Sequence, residues 1–348
     1  MGCGKPEGMD TTDLFLALTP ERILDAVEAA GLRCSPVAFP LNSYENRVYD
    51  VQLEDRTHIV AKFYRPKRWS EAQIREEHRF LAELHEAEVP VCAARSFPGG
   101  DTLRCIDGIW YAIYDRQGGR APEEVDEELA ERLGMLVARI HAVGAAGEAP
   151  SRATMGADVW IRDSLRLLRG LVPPAMWGRY EAAASALAAM ADDRLRGVAM
   201  HRVHGDFHLG NLLLRGGVLH VLDFDDLVTG PAAQDLWMAL SGAGTYVVEA
   251  FIEGYERFRA FDRRQLALFT PLRAMRRVSY AAWLARRWHD PIFPATWPHF
   301  GTQAYWEAET ADLEDLLREE DAPSAAAVAV PEELTNADLF WDWEEPKG

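Results

Sequence analysis

Three polar side chains in one short segment have the types and spacing that phosphoryl transfer requires. Asp206 and Asn211 stand five residues apart, and Asp223 follows on the other side of a Gly216-Gly217 turn, all within otherwise apolar sequence. One carboxylate can orient and deprotonate an acceptor hydroxyl, whereas an amide oxygen and a second carboxylate can hold Mg²⁺ on nucleotide phosphates. Each residue alone also fits an ordinary turn. All three at this spacing, after a strand-rich region, predict a phosphoryl-transfer site.

A lysine inside an apolar strand supplies a second candidate. Lys62 lies in the run Ile59–Phe63, and a lysine in such a place needs an anion, either a nucleotide phosphate or a helix glutamate. On the helix predicted from Ser70 to about Glu86, Glu77 falls on the apolar face, whereas Glu76 lies about 100° away. We predict a Lys62–Glu77 ion pair. A solvated surface pair with either glutamate is the alternative.

The loop before the second strand occupies the place of a glycine-rich phosphate loop but contains no glycine. Ser43 lies in this segment, Pro40–Tyr49, and it can contact phosphate together with the backbone amides around it. A polar hairpin turn explains the segment equally well.

The order of predicted elements indicates two lobes with an addition at each end. Thr19-Pro20-Glu21 is typical of a helix start, since a hydroxyl cap precedes a proline and an acid. Strands then dominate as far as Gly118-Gly119, and helices follow with one stranded island. We predict an N-terminal extension over 1–18, a strand-rich lobe over 19–118, a mainly helical catalytic lobe over 119–322 and an acidic tail over 323–348.

Negative charge is concentrated at the C-terminal end. The 348 residues carry 37 Lys and Arg against 55 Asp and Glu, a formal charge of −18. Residues 307–348 hold fourteen of the acids and two of the bases, so they account for −12. Because phosphate neutralisation needs a basic surface, we expect neither nucleic acid nor an anionic membrane among the partners.

No segment has the pattern of a targeting or membrane-spanning sequence. No apolar run approaches the roughly 20 residues that cross a bilayer, and Met1–Asp13 lacks a basic region followed by an apolar one. We therefore expect a cytoplasmic protein, and we expect it to be a monomer.

Two further features each allow two interpretations. Asp235, at the start of a predicted helix, either holds the backbone of the Asp206 loop or is an acid favoured by the helix dipole. The arginines at 273–277 and 286–287 either bind a phosphate or acidic stretch of a substrate or pair with the acidic C-terminal end. A sharper hypothesis is that the aromatic and acidic residues after Pro323 dock on these arginines or on a partner.

The stranded island resembles the signature of a known clan. His204–Asn211 followed by Val221–Asp225 is similar to the motif of the kinase-like clan that includes choline kinases and aminoglycoside phosphotransferases. Within it, the chain resembles the bacterial stress response kinase A family, whose members phosphorylate Ser and Thr in proteins. The resembling segments include Leu41–Tyr49, Val60–Pro66, Gly230–Met238 and Ala282–Trp288.

The resemblance implies an α+β, protein-kinase-like bilobal fold of the choline kinase and aminoglycoside phosphotransferase type, with ATP bound by the 19–118 lobe. It implies that Asp206 is the proton acceptor, that Asn211 and the catalytic Asp223 bind Mg²⁺, and that Ser43 lies at the ATP site. Lys62 matches the nucleotide-binding lysine of the wider clan. The family also implies protein substrates and a role in stress response.

Two other functions are compatible with the same residues. The chain can be a kinase of a small alcohol, in the manner of choline, aminoglycoside or homoserine kinases. It can also be a noncatalytic ATP-binding regulator, which the absence of glycine near Ser43 suggests. The presence together of Lys62, Asp206, Asn211 and Asp223 argues against the second alternative.

Overall fold

A computed structural model describes residues 14–15, 18–41 and 43–321, without the side chains of residues 320 and 321. The predicted acidic tail and its docking on the arginines therefore lie outside the described residues, as does most of the predicted N-terminal extension. Among the helices in the described ranges, none is both long and apolar enough to cross a membrane.

The described chain forms two compact units. The first comprises the described residues as far as Pro122 together with Ala149–Arg152 and Asn211–Asp226. The second comprises Glu123–Glu148, Ala153–Gly210 and the residues from Leu227 onward. Two short segments of the predicted helical lobe thus group with the strand-rich unit.

A five-stranded antiparallel sheet in the order β1-β2-β3-β5-β4 is the basis of the first unit. Residues 59, 61 and 63 of the central strand are buried in an apolar core that also includes α1, whereas Lys62 points to the opposite face. The elements are α1 Pro20–Glu28, β1 Cys34–Leu41, β2 Arg47–Leu53, β3 His58–Phe63, α2 Glu71–Glu86, β4 Arg104–Ile106 and β5 Ile109–Asp115.

Helix α2 begins and ends where the sequence predicts. The Ser70 side chain accepts from the Gln73 amide, and the Gln73 side chain accepts in return from the Ser70 amide, so two otherwise unpaired donors are satisfied. The face that carries Ile74, Glu77 and Leu81 is buried. The helix therefore presents a carboxylate from within an apolar face.

The hairpin of β7, Leu212–Arg215, and β8, Val218–Val221, belongs to the first unit through its backbone. Leu214 exchanges two backbone hydrogen bonds with Arg120, at 2.8 and 3.2 Å, and the Val221 amide donates to the Pro90 carbonyl at 2.9 Å. These partners are remote in sequence, and the predicted division into lobes follows the order of elements along the chain. It therefore places the hairpin in the helical lobe. A 3₁₀ turn, Leu209–Asn211, precedes the hairpin, and another, Phe224–Asp226, follows it.

Helices dominate the second unit, where β6, His201–Val203, pairs with β9, Val228–Gly230. A Cβ on Gly134 of α3 would collide with the carbonyl of Phe251, and one on Gly254 of α7 would collide with that of Glu131, so these glycines let α3 and α7 touch. The helices are α3 Glu127–Ala145, α4 Asp163–Leu168, α5 Pro174–Arg194, α6 Ala233–Ala239, α7 Thr245–Glu256, α8 Phe269–Arg287, α9 Ile292–Thr296 and α10 Gln303–Asp321, with a π-helical turn over Asp158–Arg162 and a 3₁₀ turn over Arg263–Leu268.

Candidate active site

The register of the β7–β8 hairpin brings Asn211, which precedes β7, and Asp223, which follows β8, to the same end of the hairpin. Leu212 lies opposite Val221, and the Leu222 amide donates to the Asn211 carbonyl at 2.9 Å. Asp223 has a φ of 58°, a left-handed conformation that is uncommon for a residue other than glycine. An amide oxygen and a carboxylate are hard donors of the kind that Mg²⁺ prefers.

These two side chains fit a metal ion that is shared with a nucleotide. Within residues 14–15, 18–41 and 43–321, no group of three His, Cys, Asp or Glu side chains converges to hold a metal by itself. Magnesium usually binds one or two protein oxygens and takes its remaining ligands from phosphate and water. The donor set of Asn211 and Asp223 meets that requirement.

Lys62 is surrounded by carboxylates from two separate stretches of the first unit. Its Nζ lies 2.9 Å from Oδ1 of Asp223 and 3.6 Å from Oε1 of Glu77, and it also donates to Asp225. Burial alone would lower the pKa of Lys62, but these three acids raise it well above its usual value. The lysine is therefore charged.

The two neighbouring glutamates of α2 have different partners. Glu77 is 1% exposed and lies near both Lys62 and Arg152, whose Nη2 is 3.5 Å from Oε2 of the glutamate. Burial raises the pKa of Glu77 to about 7, although Lys62 and Arg152 act in the opposite direction. The Glu76 carboxylate instead accepts from the Ser151 amide at 3.0 and 3.1 Å. The predicted Lys62–Glu77 contact is present, and its role in nucleotide binding remains a prediction.

Asp225 is the principal residue of this cluster that sequence reasoning missed. It is 2% exposed, binds Lys62, and accepts from Nδ2 of Asn46 at 2.5 Å. Burial would raise the pKa of Asp225, but Lys62 and Arg68 lower it to about 2. Arg152 donates to its backbone carbonyl. The position of Asp225 in the quoted motif was a usable signal, because it is a second acid two residues after Asp223.

Ser43 forms a local turn. Its Oγ accepts from the Asn46 amide at 3.2 Å, which is the geometry of a polar hairpin turn. Its contact with phosphate remains a prediction.

In the second unit, Asp206 is held by a cation and a histidine. Nη2 of Arg276 lies 3.1 Å from its Oδ1, and Nε2 of His208 lies 3.5 Å from its Oδ2. The Gly210 amide donates to Nδ1 of His208 at 3.0 Å, so in the neutral ring the proton is on Nε2, facing Asp206. Burial would raise the pKa of Asp206, but Arg276 and His208 hold it well below its usual range. Asp206 is therefore an ionised carboxylate.

Asp235 supports the backbone of the loop that carries Asp206. Its carboxylate accepts from the amides of His204 at 2.8 Å and Gly205 at 2.9 Å, and from Nε2 of His141 at 3.0 Å. Gly205 has a φ of 85°, which favours glycine at this turn. Of the two interpretations of Asp235, support of the loop is the one that these bonds confirm.

The arginines of α8 divide between two sets of partners. Arg273 pairs with Glu319 of α10 at 3.1 Å, and Arg277 pairs with Asp312 and, at 3.5 Å, with Glu309. The predicted ion pairing with the acidic C-terminal end is confirmed for these two residues. Arg276 differs, because its ion pair is with Asp206.

A family model and two curated relatives match most of this chain. The model of the phosphotransferase enzyme family matches residues 37–269. The chain is 41% identical over 303 residues to stress response kinase A of Escherichia coli K12, covering 85% of this chain and 92% of that protein. It is also 41% identical over 307 residues to the serine/threonine protein kinase RdoA of Salmonella typhimurium, with coverage of 86% and 93%.

Solved structures with similar folds include two kinases. Amicoumacin kinase, in complex with AMP-PNP, Ca²⁺ and its ligand, superposes with a TM-score of 0.70 at 17% identity, covering 88% of this chain and 96% of that one. A microcompartment-associated aminopropanol kinase has a TM-score of 0.67 at 19% identity, covering 85% and 98%. The predicted α+β kinase-like fold is confirmed. The chain therefore belongs to the phosphotransferase enzyme family and, within it, to the stress response kinase A family.

Proposed function

We propose that this protein is a Mg²⁺- and ATP-dependent kinase that transfers the γ-phosphoryl group to Ser or Thr hydroxyls of proteins in a stress response. The observation that carries the proposal is the contact of Lys62 with Asp223, at the end of the hairpin that also carries Asn211. A charged lysine beside two oxygen donors for a metal ion is the arrangement that binds nucleotide phosphates.

In this proposal, Lys62 binds the nucleotide phosphates, and Glu77 holds the lysine in place. Asn211 and Asp223 hold Mg²⁺, which neutralises charge on the phosphates when it is bound. Ser43 and the amides around it contact the nucleotide from the β1–β2 loop. Asp206 orients the acceptor hydroxyl and takes its proton, and Arg276 keeps that carboxylate ionised and so able to accept.

The protein acceptor and the stress role are supported by the names of relatives at 41% identity, stress response kinase A and serine/threonine protein kinase RdoA. We place the reaction in the cytoplasm, with the protein acting as a monomer. A small alcohol as acceptor is the alternative that the experiment must distinguish.

Transfer of ³²P from labelled ATP should be measured for the wild type, Asp206→Asn and Asp193→Asn, with protein substrates and a panel of small alcohols. A positioned base contributes roughly 10²–10⁴ to the rate, so Asp206→Asn should lose at least ~10²-fold of the transfer while it still binds ATP. Asp193, an exposed residue paired with Arg196, is the matched control and should retain full activity.

Retention of transfer within tenfold of the wild type by Asp206→Asn would refute the assignment of the base. Faster turnover of a small alcohol than of any protein substrate would refute the protein acceptor, and it would leave the phosphotransferase assignment intact. Absence of Mg²⁺-dependent ATP turnover would favour the noncatalytic regulator.

A further inference from the structure

Helix α8 is strongly basic. Its nineteen residues, Phe269–Arg287, include five arginines and neither Asp nor Glu. Two of these arginines, Arg273 and Arg277, are neutralised by acids of α10. Arg287, near the end of the helix, lies over the ring of Trp283 at 5.2 Å.

Arg276 stands apart because the carboxylate that it contacts is the proposed base. Its Nη2 lies 3.1 Å from Oδ1 of Asp206, and its guanidinium lies 5.8 Å from the ring centroid of Tyr280. The side chain of Arg276 is 31% exposed, against 17% for Asp206. The pair thus combines a partly exposed cation with a more deeply placed anion.

This arrangement has a consequence for the acceptor. An isolated carboxylate base would attract a cationic acceptor, such as an amino alcohol, but the ion pair with Arg276 carries no net charge. The more exposed member of the pair is Arg276, so a charge on the acceptor near its hydroxyl interacts mainly with the guanidinium. At about 6 Å, one unit charge acts on another with roughly 1–3 kcal/mol at the dielectric of a protein surface.

Building on the proposed function, we propose that Arg276 is a specificity-determining residue that favours acceptor hydroxyls flanked by negative charge over those flanked by positive charge. On a protein substrate, the favoured acceptor is a Ser or Thr next to Asp or Glu. Among small alcohols, the favoured class is a hydroxy acid and the disfavoured class is an amino alcohol.

The test compares acceptors of different charge on one protein. Three peptides of equal length present one Ser flanked by Glu, Ala or Lys, and an amino alcohol and a hydroxy acid are measured beside them. Values of kcat/KM are determined for the wild type, Arg276→Gln, Arg276→Lys and Arg273→Gln. Because each ratio is taken within one variant, a general loss of folded protein cancels.

The wild type should prefer the Glu-flanked peptide to the Lys-flanked one by about tenfold or more. Arg276→Gln should remove most of this ratio, and Arg276→Lys should restore part of it. Arg273→Gln, which loses a pair with Glu319 on the same helix, should keep the wild-type ratio. The change should appear chiefly in the KM of the acceptor.

A preference for the Lys-flanked peptide, or an unchanged ratio in Arg276→Gln, would overturn the inference and leave the kinase proposal standing. If no peptide is phosphorylated but small alcohols are, the protein acceptor fails, and the ratio of hydroxy acid to amino alcohol then decides the inference. Transfer to none of the acceptors would overturn both.

Discussion

The two groups of proposed catalytic residues hold their charges in different ways. In the first unit, Lys62 is balanced by three carboxylates, two of them almost fully buried, with Arg68 and Arg152 close by. In the second unit, Asp206 pairs with Arg276, and the backbone amides of its loop donate to Asp235.

The difference shows where chemistry and stability are coupled. In the first unit, loss of one charged partner leaves others buried without compensation, which costs folding free energy as well as nucleotide binding. In the second unit, the support of the loop is separate from the base. The base can therefore be neutralised with less effect on the fold.

The largest expected effect is that of Lys62→Met. Asp225 and Glu77 lose their shared cation, so we expect a loss of about 3–5 kcal/mol in the free energy of unfolding, together with loss of ATP binding. Urea unfolding and ATP titration measure the two effects. Lys67→Met is the matched control, since Lys67 is exposed.

In the same assay, Asp206→Asn should lose less than half as much stability as Lys62→Met. Equal losses for these two variants would show that Asp206 contributes as much to the free energy of unfolding as Lys62 does.

A smaller loss of folding stability is expected at acidic pH, because each unit contains a buried histidine. Burial lowers the pKa of His201 and of His78 to about 3. In the unfolded chain each histidine has a pKa of about 6.5, so below that pH it binds a proton there but stays neutral in the folded protein. The free energy of unfolding therefore falls as pH drops from 6.5 toward 3. Each histidine should contribute a loss of about 1.4 kcal/mol at pH 5.5.

His201 reports this effect more simply than His78. In the first unit, the pKa of Glu77 is raised to about 7, so its protonation stabilises the fold as pH falls and offsets His78. Urea unfolding of His201→Asn between pH 7.5 and 5.5 should show a shallower acid loss than the wild type. The exposed His299→Asn should not, and equal slopes for all three proteins would contradict the assignment.

The smallest expected effect separates the two glutamates of α2. Glu77→Gln weakens the hold on Lys62 and should raise the KM for ATP roughly two- to tenfold, the range of one net polar interaction. Glu76→Gln still accepts from the Ser151 amide and should leave the KM unchanged. Steady-state kinetics with varied ATP measure both, and a reversed order would transfer the lysine-holding role to Glu76.

Local patterns predicted the elements and part of the site. Helical spacing distinguished Glu77 from Glu76, and the caps at Thr19 and Ser70 lie where α1 and α2 begin. Arg152 was missed because it lies outside any periodic segment and reaches Glu77 from 75 positions along the chain. Such contacts depend on tertiary packing, which has no signature in local sequence.

The β7–β8 hairpin and the arginines of α8 show the same limit of prediction from local sequence. The sequence predicts the island of strands. Its grouping with the first unit depends on backbone hydrogen bonds to Pro90 and Arg120, which no local sequence pattern predicts. Pairing with the acidic end was one of two interpretations of the α8 arginines, and it holds for Arg273 and Arg277, whereas Arg276 contacts Asp206.

The glycine contact between α3 and α7 also affects how the chain is made. Gly134 and Gly254 are 120 residues apart, so α3 leaves the ribosome long before the helix that covers it. At roughly 5–20 residues per second, the delay is on the order of 10 s. During that time the face of α3 around Gly134 has no α7 to pack against. Nascent chains that end before Thr245 are therefore the ones that should depend most on chaperones.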